Sequence, residues 1–215
     1  FNYFNADTIQ KAVDALSINK NSKIIAGGQS LVPMMNFRLA QPDLLIDISN
    51  INELTVINED IEYIEIGSLL THSNAIKSIC LKKHFPIIPK AINNVAHHTI
   101  RNQGTVGGSI ANADPASEWP LLVTLLECSI KVQNKTEKRE ILSEDFFESH
   151  FVTNLKEDEI ITSIKIPKIK NSYGWSFFEE ARRDGDFAIV ETGAIIEIEK
   201  NNLIKKASIA IGGVD

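Results

Sequence analysis

Long apolar runs are missing from this chain of 215 residues. The most sustained, residues 121–126, falls far short of the roughly 20 residues a membrane-crossing helix needs, so no span is expected. A basic surplus is missing too: 22 Lys and Arg stand against 28 Asp and Glu, a net charge of -6. That balance disfavours a nucleic-acid partner, which needs concentrated Lys and Arg to neutralise phosphates. Cysteine is scarce. Cys80 and Cys128 lie far apart with no neighbouring His pairs, so they cannot supply the four ligands of a structural zinc or iron–sulfur site. Both are expected to be plain buried thiols in a reducing compartment, the cytoplasm. The opening residues show no basic stretch followed by an apolar one, and no secretory signal is expected. What is present, 43% apolar and 23% charged residues, suffices for one large core or two modest ones.

The order of patterns indicates an α+β fold. Asp7 and Thr8 suit a helix start, and Ile9, Ala12, Val13 and Leu16 follow at helical spacing. Residues 23–26 read as a strand stopping at Gly27 and Gly28. A helix-like segment through Leu31, Met34, Met35 and Leu39 ends by Pro42, and residues 44–48 restore a buried strand, giving a βαβ-like unit. Between residues 54 and 69 the period falls to two, which suggests antiparallel strands. Residues 72–83 and 86–97 look like two helices, and residues 121–126 like a third or a helix–strand junction. Strands resume at 129–132, 160–166 and 189–198. The expected organisation is a domain over residues 1–172, with a small lobe to about 55 and a larger lobe after it, then a strand-rich segment from Tyr173. There is no internal repeat and no low-complexity linker.

Two glycine pairs carry the chemistry. Ala26, Gly27, Gly28, Gln29 and Ser30 form the first segment; Thr105, Val106, Gly107, Gly108 and Ser109 form the second. Neither matches a dinucleotide fingerprint or a P-loop. A diphosphate needs converging backbone N–H donors with no side chain in the approach, which adjacent glycines followed by Gln or Ser can provide. The helix starting near Leu31 would add its positive end. Taken alone, either pair is more simply a turn. Residues 109–120 combine small residues with Asn112, Asp114 and Glu118. They read either as a ligand wall or as a loop before a helix, with Asp114 or Ser117 as its cap and Glu118 in the first turn.

The runs AGGQSLVPMMNFRLAQPDLLIDISNI, HHTIRNQGTVGGSIANADPASEWP and FFEEARRDGDFAIV resemble three signature stretches of the flavoprotein subunits of molybdenum hydroxylases, of the xanthine dehydrogenase and carbon monoxide dehydrogenase type. The resemblance covers almost the whole chain, in order. It implies a vanillyl-alcohol-oxidase (PCMH) type FAD-binding fold of two lobes. It further implies that Ile25, Ala26, Gly27, Gly28, Gln29, Ser30, Leu31 and Val32 wrap the FAD pyrophosphate. Thr105, Val106, Gly107, Gly108 and Ser109 would be a second wall near the flavin and its ribityl chain. Glu118 falls where the family more commonly has an Asp that binds the adenosine ribose. Ile161 matches an apolar position beside the adenine, and Val95 one lining the flavin pocket. Phe177, Phe178, Glu179 and Glu180 replace the Lys or Tyr that some relatives place near the ring; the two aromatics are expected in a core strand pair.

Other residues are expected to be structural. His97 and His98, adjacent in a helix, do not point at one metal. Arg101 and Asn102 would orient the second glycine segment, or Arg101 would pair with a carboxylate. Arg182, Arg183, Asp184 and Asp186 read as a charged turn, for surface pairing or subunit contact. By resemblance, electrons reach FAD from the iron–sulfur clusters of a small subunit, substrate being oxidised at the molybdopterin of a large subunit. They then pass to NAD+ or another acceptor, with no catalytic side chain in this chain. Residues 173–215, which stop at the run 211–215, resemble the beginning of the family's C-terminal α+β domain, so the chain is expected to be a fragment or to be completed by another chain. The rival readings are a stand-alone flavin oxidoreductase of the same fold and a non-enzymatic fragment without FAD.

Overall fold

The computed structural model describes residues 1–199 and 201–214; Asp215, the last of the C-terminal stretch, lies outside the described residues. The chain opens with a strand that the periodicity does not reveal, β1 (Asn2–Asn5), before helix α1 (Ile9–Ile18). The Thr8 hydroxyl caps α1 by accepting the Lys11 amide at 3.3 Å, and Ala12, Val13 and Leu16 form its buried stripe. Strand β2 (Ser22–Ile25), helix α2 (Leu31–Asn36) and strand β3 (Leu44–Asp47) complete a parallel sheet in the order β1-β3-β2. β3 takes the centre because Leu45 and Ile46 are apolar on both faces, whereas β1 is exposed throughout. This lobe has its own core, in which Ile46, Ile48, Ile51 and Leu54 meet Leu69 and Ile160 of the larger lobe.

The larger lobe begins with the expected antiparallel pair, β4 (Ile57–Glu59) and β5 (Tyr63–Gly67). The two long helices expected next are broken up. Ser78 ends α3 (His72–Lys77), and its hydroxyl caps α4 (Ile79–His84) by accepting the Leu81 amide at 3.2 Å. Helix α5 stops at Ile92 (Ile87–Ile92), and a turn separates it from α6 (His98–Arg101), so His97 precedes the helix and only His98 lies in it. Two further helices follow, α7 (Val106–Asn112) and α8 (Glu118–Leu125). Then come β6 (Ser129–Gln133), β7 (Lys138–Leu142), the single turn α9 (Ser143–Phe146), the small pair β8 (Phe147–Ser149) and β9 (Val152–Thr153), and β10 (Ile160–Pro167). β10 is the middle strand of a five-stranded sheet ordered β4-β5-β10-β6-β7. Alternation along β5 sends Ile64 and Ile66 inward, where the sheet packs on Phe85, Ile87, Ile88, Trp119 and Leu122.

Three long strands close the described chain: β11 (Ser172–Ala181), β12 (Ala188–Ile198) and β13 (Ile204–Gly212), all antiparallel. Helix α8 packs on β12 and β13, and Phe177 and Ile195 enter the main core, so one face of this sheet is covered. Phe178, Ile196, Ile209 and Ile211 remain exposed. The two adjacent aromatics thus divide by strand alternation: Phe177 is core, as expected, and Phe178 is not. The cysteines divide as well. Cys128 is buried, but Cys80 is partly exposed, contrary to expectation, because α4 turns its edge toward Glu59.

Phe85 is fully buried in the main core and Ile61 almost fully exposed. Phe85→Ala should lower stability by about 3–5 kcal/mol, whereas Ile61→Ala should change it by less than about 0.5 kcal/mol. Urea unfolding followed by far-UV circular dichroism measures both.

Candidate functional site

The first glycine segment is the loop between β2 and α2. Its entry is fixed by the Ile25 carbonyl, which accepts the Ile48 amide at 3.1 Å. Gly28 sits at φ +69°, a backbone conformation that strains any L side chain. The Gln29 side-chain amide donates back to the Gly27 carbonyl at 2.9 Å, and the Val32 amide to the Gly28 carbonyl at 3.0 Å. Among the described residues, the amides of Gly28, Gln29 and Ser30 donate to no carbonyl, and Gln29 and Ser30 are exposed. Unpaired donors around a left-handed glycine are the ingredients of an anion nest. Ser30 precedes α2 without capping it, Leu31 is partly exposed, and Val32 lies on the exposed side of that short helix.

The second segment is built differently. Residues 106–112 are helical rather than loop, and the Thr105 hydroxyl caps them by accepting the Gly108 amide at 3.2 Å. The Val106 amide donates to the Leu70 carbonyl at 3.0 Å, Gly107 to Ser68 at 2.8 Å, and Ser109 to Thr105 at 3.0 Å. The amides of residues 106–109 are therefore already committed, so this segment is a wall and not the second nest that its glycines suggest. A Cβ on Gly107 would lie 2.5 Å from the Ser68 Cβ, which makes Gly107 a packing residue. Gly108 is exposed, and a Cβ there would stand 2.8 Å from the Thr105 hydroxyl that caps the helix.

The two segments meet. A Cβ on Gly27 would fall 2.0 Å from the Gln103 carbonyl oxygen and 3.0 Å from the Gly104 Cα, so the loop of one lobe rests on the backbone leading into the wall of the other. Ile161 is tied to the same wall one residue away, since the Ser68 amide donates to the Thr162 carbonyl at 3.0 Å; its own side chain is buried in the main core. Val95 lies in the turn between α5 and α6. One Arg101 nitrogen gathers that turn by donating to the carbonyls of Asn93, Val95 and Ala96 at 3.2, 2.8 and 2.7 Å. Arg101 thus orients the turn before α6 and not the second glycine segment expected, and its partners are carbonyls instead of a carboxylate. Asn102 accepts from Ser73 at 2.6 Å. No ion pair involves Arg182, Arg183, Asp184 or Asp186 among the described residues, so their turn is exposed charge without surface pairing.

Ser117 precedes α8 and its hydroxyl lies 2.9 Å from that of Ser109, joining α8 to the wall; Asp114 accepts the Ala116 amide at 3.0 Å. Glu118, in the first turn, is only 7% exposed. Burial pushes its carboxyl up to about 9, with Glu179, Glu191 and Asp114 adding in the same direction. At neutral pH it is an uncharged acid, not the carboxylate that its ribose-binding role by resemblance presumes. Glu191 is fully buried, neither of its oxygens has a hydrogen-bond partner among the described residues, and burial raises it to about 8.

Sequence patterns give no hint of His72 and Trp119, which lie just beneath the wall. The Trp119 indole donates to His72 Nδ1 at 3.0 Å, and the His72 amide donates to the Gly104 carbonyl at 3.0 Å. Burial, reinforced by the charge of Arg101, lowers the imidazole to about 4, so the ring is neutral.

The arrangement has two features that suit an FAD: a nest of unpaired amides at a left-handed glycine, and a neighbouring wall with an exposed glycine that presents no side chain. Comparison with known proteins agrees. Residues 1–169 match the family described as the FAD binding domain in molybdopterin dehydrogenase. The chain is 40% identical over 211 residues to the nicotine 6-hydroxylase medium subunit of Paenarthrobacter nicotinovorans, covering 98% of this chain and 74% of that one. It is 31% identical over 215 residues to the carbon monoxide dehydrogenase medium chain of Hydrogenophaga pseudoflava, covering 100% and 75%. The crystal structure of quinoline 2-oxidoreductase from Pseudomonas putida 86 superposes with a TM-score of 0.95 at 34% identity, covering 100% of this chain and 74% of that one.

The orphaned Glu191 carboxyl makes a pH prediction. Its folded value, about 8, lies above the 4.5 of a free glutamate. Its contribution to stability is therefore complete below pH 4.5 and declines as the pH rises through 8. Glu191→Gln should flatten that decline and raise stability at pH 8 by at least about 1 kcal/mol. Urea midpoints at pH 5 and pH 8 check it; equal slopes for both proteins would count against it.

Proposed function

The chain belongs to the family of FAD-binding domains of molybdopterin dehydrogenases, and from that premise we propose that it relays electrons from the iron–sulfur clusters of a small partner subunit to NAD+ or another soluble acceptor. It binds FAD and is the medium subunit of a molybdenum hydroxylase complex. Bound FAD supplies the exchange between one-electron and two-electron transfer that such a relay requires. The organic substrate would react at the molybdopterin of a large subunit, and no side chain here acts as nucleophile or general acid.

The observation that carries the reading is the contact of the two lobes at Gly27 and Gly104, next to unpaired amides. The backbone from Ile25 to Val32 would hold the pyrophosphate, with Gly28, Gln29 and Ser30 donating. Thr105 through Ser109 would bound the flavin side by shape, since their amides are spent within the fold. Val95, fixed by Arg101, would add apolar surface near the flavin, and Ile161, its side chain in the main core, would back the adenine side of the wall. Glu118, as a neutral acid, would both donate to and accept from a ribose hydroxyl. Each of these groups orients the cofactor or excludes water around it.

Purified protein should be yellow, with about one FAD per chain, and should co-purify from its source with chains carrying molybdopterin and iron–sulfur clusters; isolation as a lone chain with full turnover would reject the relay. Gly28→Val and Gly108→Val should each weaken FAD binding by about tenfold or more, with a modest fall in the unfolding midpoint from the left-handed backbone of the first and the Thr105 contact of the second. Gly107→Val should lower the unfolding midpoint much further, because its side chain meets Ser68 backbone and Cβ. Flavin fluorescence titration with parallel circular dichroism separates the two outcomes.

A further inference from the structure

A line of contacts runs from α8 through α3 to the point where the lobes touch. Trp119 is almost fully buried, and its indole, which can only donate, meets His72 Nδ1 at 3.0 Å. That bond fixes Nδ1 as the acceptor and leaves the proton on Nε2. The two rings lie 27° from parallel, and His72 itself is 5% exposed. The opposite edge of the imidazole lies against Gly104: a Cβ there would stand 2.7 Å from both Cδ2 and Nε2. The His72 backbone holds the same glycine by donating to its carbonyl at 3.0 Å. On the far side of residues 103 and 104 lies Gly27 of the other lobe, close enough that its missing Cβ would fall 2.0 Å from the Gln103 oxygen.

Four layers are thus in contact, with no side-chain carbon to spare at either glycine: indole, imidazole, the backbone of 103–104, and the backbone of the first loop. A close-packed stack transmits displacement, because each layer has no free volume into which it can yield. We propose that His72 is a positioning residue for FAD, its ring setting through Gly104 the separation between the first loop and the second wall. This rests on the FAD reading of that cleft. Plain core filling would not need a polar ring here; a hydrocarbon of similar size would fill the space. The imidazole adds an acceptor that fixes the ring plane and prevents the indole from being left unpaired. Its neutral state keeps a second positive charge away from Arg101.

The test is a double-mutant cycle in the purified chain, read as the FAD dissociation constant by flavin fluorescence, with visible circular dichroism of the bound flavin and urea midpoints alongside. His72→Ala thins the stack and Gly104→Ala thickens it at the same contact. Each single variant should weaken FAD binding by about tenfold and alter the visible dichroism. The double variant, in which the added methyl occupies the vacated ring space, should bind FAD about fivefold or more tightly than the product of the single effects implies. Additive losses in the cycle, or single variants that stay folded and bind FAD like the wild type, would overturn the inference while leaving the FAD reading intact. Wild-type protein that takes up no FAD would overturn both. Should His72→Ala not fold, His72→Asn keeps an acceptor for Trp119 but lacks the outer ring edge; it should fold and still weaken FAD binding, and wild-type affinity in that variant would overturn the inference.

Discussion

The architecture depends on one backbone-to-backbone approach, that of Gly27 to the peptide between Gln103 and Gly104. Any side chain at Gly27 would place its first carbon 2.0 Å from a carbonyl oxygen, well inside van der Waals contact. Because that contact joins the lobes with no side chain between them, whatever positions the peptide at 103–104 also positions the first loop. The rest of the site follows from holding this point still. The Thr105 cap, the Ser68 and Leu70 carbonyls and the Arg101 fork each fix a segment within a few residues of it.

Buried polar groups around the cleft fall into two kinds. His72, Trp119, Arg101 and Thr105 have their partners, and they rigidify because leaving any of them unmet costs more than the bond itself contributes. Glu118, Glu179 and Glu191 are different: burial raises all three, although Glu179 accepts from Asn94, and Glu191 has no hydrogen-bond partner among the described residues. They sit where α8 meets the three-stranded sheet, so that junction loses stability as the pH rises and these carboxyls ionise.

How much of this was legible in the sequence depends on the range of the forces involved. The βαβ lobe, the period-two strands and both glycine segments were readable because apolar spacing and turn residues are local signals. Strand β1 was not: Asn2 to Asn5 is an exposed edge whose pairing with β3 is 42 residues away in register, Asn2 opposite Leu44. The break at Ser78 was missed because its apolar neighbours keep helical spacing across a residue that caps instead of continuing. Helix α7 was hidden by its two glycines, poor helix formers that here are held by Thr105 and by carbonyls from Ser68 and Leu70. The His72–Trp119 bond spans 47 residues, and no periodicity encodes such a pair. Family resemblance assigned the cleft its ligand, but not which side of it arrives with its hydrogen bonds already made.

That asymmetry between the two sides divides the labour of the proposed cleft. The wall over residues 105–109 has its amides bonded within the fold, whereas the amides of Gly28, Gln29 and Ser30 donate to no carbonyl among the described residues. On the FAD reading, the smaller lobe would therefore supply the backbone donors and the larger lobe the shape against which they close.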